Sequence, residues 1–291
     1  MSQLPRITII TPNFNGGRFL EATITSVVSQ NYGNLQYIVI DGGSTDDSID
    51  IIKEYEHGID YWVSEKDTGP AQAINKGIAR ADGDWLNWLN SDDLLLPGAL
   101  STLAKIIAVA PEADWIVGNR IDINATGDLT RVGQAPQHCY DTLFLGGVYF
   151  PQDATFFRRS LLDSVGGGLN EACQSIFDTE LYSRMVTKRK PLLTTAVLSC
   201  FRVYPGQISS KTKLQQREIE LLRGYYRDQS LTMKLFRSLR RPEWIVFSTV
   251  LMFIAYKIRL LNLEEGWEIA LPVYQNGDFR VEKMTTQISL F

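Results

Sequence analysis

The sequence predicts an α/β protein with a doubly wound, mostly parallel β-sheet. Over the first 120 residues, runs of β-branched and aromatic residues alternate with amphipathic helical patterns. Polar or acidic loops follow four of the strand-like runs, as ligand-binding loops do in open α/β sheets. The chain has 291 residues and 44% hydrophobic content, which is enough to bury one large core.

Strands and helices can be assigned in order from these patterns. Short apolar runs predict strands over 6–10, 35–41, 59–65, 85–90 and 114–120. Apolar residues at helical spacing predict helices over 18–30, from Ser44–Asp47 through Tyr55, over 68–81 and over 97–110. Pro70 and Pro97 stand near the starts of the last two, where proline is favoured.

After residue 120 the regular alternation stops. Thr126-Gly127 predicts a hairpin, and the stretch 153–171 reads as a strand, a short helix and a Gly-rich turn. A helix over 175–189 and a strand over 191–204 are expected next. The segment 211–262 is predicted to be helical, basic and then very apolar, and 264–291 has no readable pattern.

Composition excludes several classes of protein. The formal net charge of -4 argues against nucleic-acid binding by the whole chain. Three cysteines, Cys139, Cys173 and Cys200, lack metal-like or disulfide spacing, which indicates a reducing compartment. The first residues lack a signal-peptide pattern, so a cytoplasmic location is expected.

Acidic residues at the predicted strand ends favour a metal-assisted site. Four loops, Thr11–Asn15, Asp41–Asp46, Glu65–Asp67 and Asn90–Asp93, should meet at one sheet edge. Adjacent carboxylates such as Asp92 and Asp93 repel unless a cation lies between them, so they suggest Mg²⁺ or Mn²⁺ clamping a diphosphate. The alternative is that the pair caps the helix near Pro97. No Walker A loop or G-x-G-x-x-G fingerprint is present.

Four blocks in the chain carry a family resemblance. They are "ITIITPNFNGGRFLEATITSVVSQNY", "YIVIDGGSTDDSIDIIKEY", "EKDTGPAQAINKGIARADGDWLNWLNSDD" and "DATFFRRSLLDSVGGGLNEACQSIFDTELYSRM". In this order, over about 6–205, the chain resembles family 2 inverting glycosyltransferases with the GT-A fold. The forms "IDGGSTD" and "LNSDD" resemble those of bacterial enzymes that build surface polysaccharides.

The resemblance implies a role for each of several residues. Contacts with the nucleotide-sugar are implied for Thr11, Pro12, Asn13, Asn15, Asp41, Asp67 and Asp92. Asp93 is the implied metal ligand, and Asn90 stands where the family often has Asp. Asp178 aligns with the catalytic base, and the alternative is that it is only the N-cap of its helix. Asp153 and Gln152 are expected to bind the acceptor, with Asp153 as the second candidate for the base.

The implied activity is metal-dependent, inverting transfer from a nucleotide-diphosphate sugar, with a UDP-sugar as the default donor. The acceptor would be a glycan, free or lipid-linked. The expected catalytic domain spans 1–205, with a nucleotide-sugar half (1–120) and an acceptor half (121–205), and a helical extension and tail span 206–291. Two alternatives stay open, a sugar nucleotidyltransferase and a non-catalytic relative that binds sugar nucleotides or glycans.

The segment 234–261 combines basic residues with an apolar run that is short for a membrane span of about 20 residues. One interpretation packs it against the catalytic domain or another subunit of a homo-oligomer. The other places it in the membrane interface, as a peripheral contact on the inner face, with Arg237, Arg240, Arg241, Lys257 and Arg259 at anionic headgroups.

Overall fold

The structure, a computed structural model, describes residues 4–133, 150–207, 215–220, 267–275 and 278–286. The strands are β1 (Ile7–Asn13), β2 (Leu35–Asp41), β3 (Tyr61–Ser64), β4 (Trp85–Trp88), β5 (Leu94–Leu95), β6 (Trp115–Ile123), β7 (Leu129–Gly133), β8 (Thr155–Arg158), β9 (Leu192–Arg202), β10 (Trp267–Gln275) and β11 (Asp278–Thr286). The helices are α1 (Gly17–Val28), α2 (Ser48–Glu54), α3 (Pro70–Arg80), α4 (Ala99–Val109), α5 (Arg159–Ser164) and α6 (Phe177–Val186), with a further helical segment at 215–220.

One mixed sheet organises these elements in the order β11-β10-β9-β6-β8-β4-β1-β2-β3. Strands β4, β1, β2 and β3 are parallel, so their carboxyl ends lie at one edge. Strand β8 runs antiparallel between β4 and β6, and β6 is parallel to β9. The parallel part of the sheet therefore positions the four polar loops side by side.

Helices cover both faces of the sheet because its strands bury side chains on both sides. One core contains Ile9 and Tyr37 from the sheet, packed with Ile24 of α1 and Leu103 of α4. The opposite core contains Leu86, among other side chains, together with residues of α3, α5 and α6. Two buried faces give near-continuous apolar strands, which is the pattern that predicted a doubly wound sheet.

The elements predicted over the first 120 residues are all present, with shifted ends. Strand β1 continues past residue 10, since Thr11–Asn13 pair in register with Val39–Asp41. The hairpin predicted at Thr126-Gly127 joins β6 to β7, and Gly127 has a φ of 90°, which glycine adopts without strain.

The C-terminal part differs from the prediction. In the described residues of this part, 215–220 are helical, whereas β10 and β11 form strands where no pattern was readable, with β10 added beside β9. The strands β10 and β11 thus lie in the stretch 264–291, for which no element was predicted, and the predicted division of the chain into a catalytic domain and a C-terminal extension stays a prediction. The segment 234–261 lies outside the described residues, so both interpretations of it stay predictions. No described helix has the length and apolar character needed to cross a bilayer.

Gly83 lies where the loop before β4 meets β1. A Cβ at this position would approach the backbone nitrogen of Thr8 to 2.7 Å and the carbonyl oxygen of Trp85 to 3.0 Å. Because backbone atoms in paired strands cannot move aside, Gly83→Ala is expected to lower the free energy of unfolding by about 1–3 kcal/mol. Urea unfolding measures this. The control, Gly33→Ala, has open space around its Cβ and should change stability by less than about 1 kcal/mol; equal effects would contradict the steric explanation.

Candidate functional site

A cleft of about 940 Å³ opens at the carboxyl ends of β1 and β4. This size is within the range that small-molecule sites occupy. Its lining comes from the loops after β1, β3 and β4, from β6, β7 and the segment before β8, and from α6, the end of β9 and the segment 215–220. The cleft therefore lies where the strand-end residues were predicted to meet.

The residues predicted to bind the nucleotide-sugar fall into two groups. The cleft is lined by Pro12, Asn13, Asn15, Asp67 and Asp92. Thr11 and Asp41 are fully buried and are not among the described residues that line it. The hydroxyl groups of Thr11 and Tyr37 lie 3.1 Å apart in a buried hydrogen bond. These placements leave the predicted nucleotide contacts of Thr11 and Asp41 as predictions.

Asp41 organises the loops around the cleft. Its carboxylate accepts hydrogen bonds from the Asn13 amide, the Gly43 and Ser44 backbone amides, and the Ser44 and Ser64 hydroxyls, at 2.5–3.0 Å. Burial alone would raise the pKa of Asp41, but these hydrogen bonds outweigh it and hold the pKa below its usual value. The ionised carboxylate thus ties the loop after β1 to the loop after β2.

Asp67, in the loop after β3, lines the cleft and is half-buried. Burial raises its pKa, although the Gly69 amide donates a hydrogen bond to Oδ1 at 2.9 Å. A Cβ at Gly42 would lie 2.7 Å from Asp67 Oδ2, so glycine at that position lets the carboxylate pack against the end of β2.

Asp92 and Asp93 occupy different environments. Asp92 lines the cleft, whereas Asp93 is fully buried and is not among the described lining residues. The Arg202 backbone amide donates to Asp93 Oδ1 at 2.9 Å, and the Asn90 amide lies 3.4 Å from Oδ2. Burial, and then the neighbouring charges of Asp92 and Asp153, raise the pKa of Asp93 well above its usual value. The location of Asp93 is therefore unlike that of an exposed metal ligand.

The carboxylate of Asp92 accepts hydrogen bonds from two residues that follow β9. The Tyr204 hydroxyl donates to Asp92 Oδ2 at 2.9 Å, and Gln207 Nε2 donates to the same oxygen at 3.3 Å. The described hydrogen bonds to the carboxylate use Oδ2, which leaves Oδ1 available to a ligand in the cleft. Burial and the Asp92 charge raise the pKa of Tyr204, so the phenol remains protonated and able to donate.

A divalent metal fits this site only if the protein and the substrate phosphates share its coordination. Within the described ranges, no three His, Cys, Asp or Glu side chains are grouped closely enough to hold a metal. Asp92 and Asn90 both line the cleft and offer oxygen atoms. Mg²⁺ characteristically takes one or two protein carboxylates and completes its coordination with substrate phosphates and water. The residues present match that mode of binding and do not form an all-protein cage.

Asp178 lies in the first turn of α6, two residues after the N-cap Ile176, and lines the cleft. Burial raises its pKa to about 6, although the Thr179 amide and hydroxyl both donate to Oδ1, the amide at 2.7 Å. A carboxylate at a helix N-terminus is also favoured by the helix dipole. Its pKa allows Asp178 to be mostly ionised at pH 7 and still to accept a proton near that pH.

Asp153 and Gln152, the predicted acceptor residues, are buried and are among the residues that line the cleft. The Arg120 guanidinium forms an ion pair with Asp153 at 3.2 Å, and the Ser199 hydroxyl also donates to this carboxylate. Gln152 donates to the Trp88 carbonyl and accepts from the Asn90 amide at 3.3 Å. These bonds occupy both side chains, and their role in acceptor binding stays a prediction.

Sequence reasoning missed part of the cleft wall. The missed side chains that line it include basic, aromatic, polar and aliphatic ones, among them Arg18, Arg120, Arg131, Phe201, Tyr204, Gln207, Gln215 and Ile219. The sequence signals available were the predicted strand 191–204, which contains Phe201 and ends on Tyr204, and the first family block, which contains Arg18. Arg18 follows the loop after β1 directly, and the fold brings the others to the cleft from β6, β7, the end of β9 and the segment 215–220.

Comparisons with known proteins identify relatives of this chain. The family model described as "Glycosyl transferase family 2" matches residues 8–166. An uncharacterized glycosyltransferase of Mycobacterium tuberculosis is 35% identical over 169 residues, which cover 57% of this chain and 64% of the relative. A Campylobacter jejuni protein named GalNAc(5)-diNAcBac-PP-undecaprenol beta-1,3-glucosyltransferase is 35% identical over 106 residues, 35% of this chain and 34% of that relative. The chain thus spans less than two thirds of the length of these relatives.

Solved structures share the fold at low identity. Mannosyltransferase PcManGT from Pyrobaculum calidifontis, in complex with GDP-Man and Mn²⁺, has a TM-score of 0.60 and 16% identity, covering 88% of this chain and 76% of its own. S. aureus TarS 1–349 in complex with UDP-GlcNAc has a TM-score of 0.58 and 16% identity, covering 71% and 61%. The predicted GT-A-like α/β fold class is confirmed.

Proposed function

Because the chain belongs to glycosyl transferase family 2, we propose that it transfers a sugar from a nucleotide-diphosphate donor to a glycan or lipid-linked acceptor. The reaction is metal-dependent and inverts the configuration at the anomeric carbon. The single observation that carries this proposal is the cleft itself. Asp92 and Asp178, from separate parts of the fold, line it together.

Asp178 acts as the general base in this proposal. Its carboxylate takes the proton of an acceptor hydroxyl, whose oxygen attacks the anomeric carbon as the bond from that carbon to the diphosphate breaks. Attack from the side opposite the diphosphate inverts the configuration. The raised pKa of Asp178, about 6, supports this role. Asp153 is less suited to be the base, because Arg120 and Ser199 already hold its carboxylate.

Asp92, rather than Asp93, is the proposed protein ligand for Mn²⁺ or Mg²⁺, with Asn90 beside it. A bound divalent ion would stabilise the negative charge that develops on the leaving diphosphate. Support comes from the exposure of Asp92 to the cleft and the complete burial of Asp93. Tyr204 and Gln207 orient the Asp92 carboxylate through Oδ2. In this proposal Asp93 contributes indirectly, because its carboxyl group fixes the backbone of Arg202.

The donor and acceptor are assigned from the relatives. We propose a UDP-sugar first, since TarS was solved with UDP-GlcNAc, although PcManGT was solved with GDP-Man. A lipid-linked acceptor follows from the undecaprenol named for the Campylobacter jejuni relative. Residues 1–120 form the nucleotide-sugar half and 121–205 the acceptor half, and we extend the site to Gln207 and to 215–220, which share the cleft wall.

Nucleotide binding tests the proposal directly. Thermal unfolding is measured with UDP, GDP, dTDP and CMP, each with Mn²⁺, Mg²⁺ or a chelator. UDP with metal should stabilise the protein by about 2.7 kcal/mol at a hundred times its Kd, because a ligand that binds the folded state alone shifts the unfolding equilibrium. The chelator should remove most of this effect. Equal stabilisation with chelator would contradict the proposal that nucleotide binding depends on a metal. If none of the four nucleotides stabilises the protein, the alternative of a non-catalytic relative is favoured.

A further inference from the structure

Glu218 joins the helical segment 215–220 to the loop before α6. Its carboxylate accepts three hydrogen bonds: from the Gln174 backbone amide at 2.8 Å, the Ser175 backbone amide at 3.0 Å and the Ser175 hydroxyl at 2.6 Å. Both oxygens are used, one for Gln174 and the other for Ser175. A carboxylate that accepts from two successive amides fixes the backbone more firmly than a single neutral contact.

The loop that Glu218 holds leads directly into α6. Ile176 is the N-cap of this helix, and its side chain makes no capping hydrogen bond because it is apolar. Gln174 and Ser175 therefore stand immediately before a helix start that lacks a side-chain cap. Asp178 lies two residues after the N-cap, so the path of this loop sets where its carboxylate points.

Both segments that the Glu218 contact joins, the loop before α6 and the segment 215–220, line the cleft. Ser175 and Ile176 line the cleft next to Asp178, and Gln215 and Ile219, on either side of Glu218, line it as well. The segment 215–220 is thus held at the acceptor side by Glu218, well after the residues that the family model matches, 8–166.

We propose that Glu218 is a positioning residue for transfer: it fixes the loop 174–176 and so aims Asp178 at the acceptor hydroxyl. This inference rests on the proposed function. Glu218 itself touches neither donor nor acceptor. Its loss acts on the chemical step, where a displacement of about 1 Å in a reacting group can cost about a hundredfold in rate.

The test compares Glu218→Ala, Glu218→Gln and the matched control Glu220→Ala. Glu220 carries the same charge in the same segment and is exposed. UDP release from UDP-sugars is measured in the full chain, with a simple glycoside as acceptor, for kcat and for KM of the donor. Glu218→Ala should lower kcat by about 10- to 100-fold with the donor KM unchanged. Glu218→Gln keeps one accepting oxygen and should recover part of the loss, and Glu220→Ala should match the wild type.

Hydrogen exchange separates this inference from the proposed function. The amides of Gln174 and Ser175 should exchange faster in Glu218→Ala, and at the wild-type rate in Glu220→Ala. An unchanged exchange rate overturns the inference whether or not the wild type transfers sugar. An unchanged kcat, or a donor KM that rises as much as kcat falls, also overturns it. A wild type without transfer overturns the proposed function, while the exchange rates still decide whether Glu218 fixes the loop.

Discussion

Asp178→Asn is expected to lower kcat for sugar transfer by about 10²–10⁴-fold, because an amide cannot take the proton of the acceptor hydroxyl. Stabilisation by UDP and metal should remain, since the proposed metal ligand Asp92 comes from another part of the fold. The measurements are steady-state kinetics and thermal unfolding with UDP and Mn²⁺. The control is Asp163→Asn, an exposed acid on α5. If Asp178→Asn keeps full transfer, Asp178 is not the general base, and Asp153 becomes the candidate to test.

The pH dependence of the wild type follows from the same residue. Because the base must be ionised, kcat should rise with pH and level off above the pKa of Asp178, about 6. The measurement is kcat over about two pH units on either side of that pKa. A flat profile through pH 6 would contradict the assignment.

Stability provides an independent check on the fold of Asp178→Asn. The side chain is 8% exposed, and its pKa of about 6 in the folded state exceeds the usual value of 3.8. A raised pKa means that ionisation costs stability: the cost is absent below pH 3.8, grows as pH rises and is complete above about pH 6. It amounts to about 3 kcal/mol. The variant should therefore be at least as stable as the wild type at pH 8, so that lost transfer cannot be attributed to unfolding.

The sequence was sufficient to predict the parallel part of the fold and the cleft at its edge. Strands such as 35–41 are buried on both faces, and continuous apolar runs of that kind are readable without knowing their neighbours. The loops at their ends then meet for topological reasons, which is why Asn15, Asp67 and Asp92 line one cleft. Asp178 also lines it, but topology did not predict its place, which came from the family resemblance.

Burial and long-range contacts could not be predicted in the same way. Adjacent residues in a loop can face opposite environments, and the sequence alone did not reveal that Asp93 lies beneath the cleft and Asp92 within it. The partners that decide this, Arg202 and Tyr204, are about a hundred residues away. Strand β10 was unreadable because its place depends on the exposed edge of β9.

Asp92→Asn and Asp93→Asn are expected to separate the two candidate metal ligands. Asp92→Asn should lose most of the metal-dependent stabilisation by UDP, about 2.7 kcal/mol at a hundred times Kd in the wild type, because the proposed carboxylate ligand of the metal is lost. Asp93→Asn should keep most of it. Asp93 is fully buried with a raised pKa, so a neutral amide of similar shape replaces a carboxyl that ionises with difficulty.

Thermal unfolding with UDP, with and without Mn²⁺, measures both variants, and Asp50→Asn on α2 is the control for the loss of an exposed negative charge. Asp93→Asn should stay folded, since its remaining oxygen can still accept from the Arg202 amide. If Asp93→Asn loses the metal-dependent part and Asp92→Asn retains it, the ligand is Asp93, and the cleft must open to it when nucleotide binds. If both variants lose it, the two carboxylates act as one unit, in which the buried acid sets the position of the exposed one.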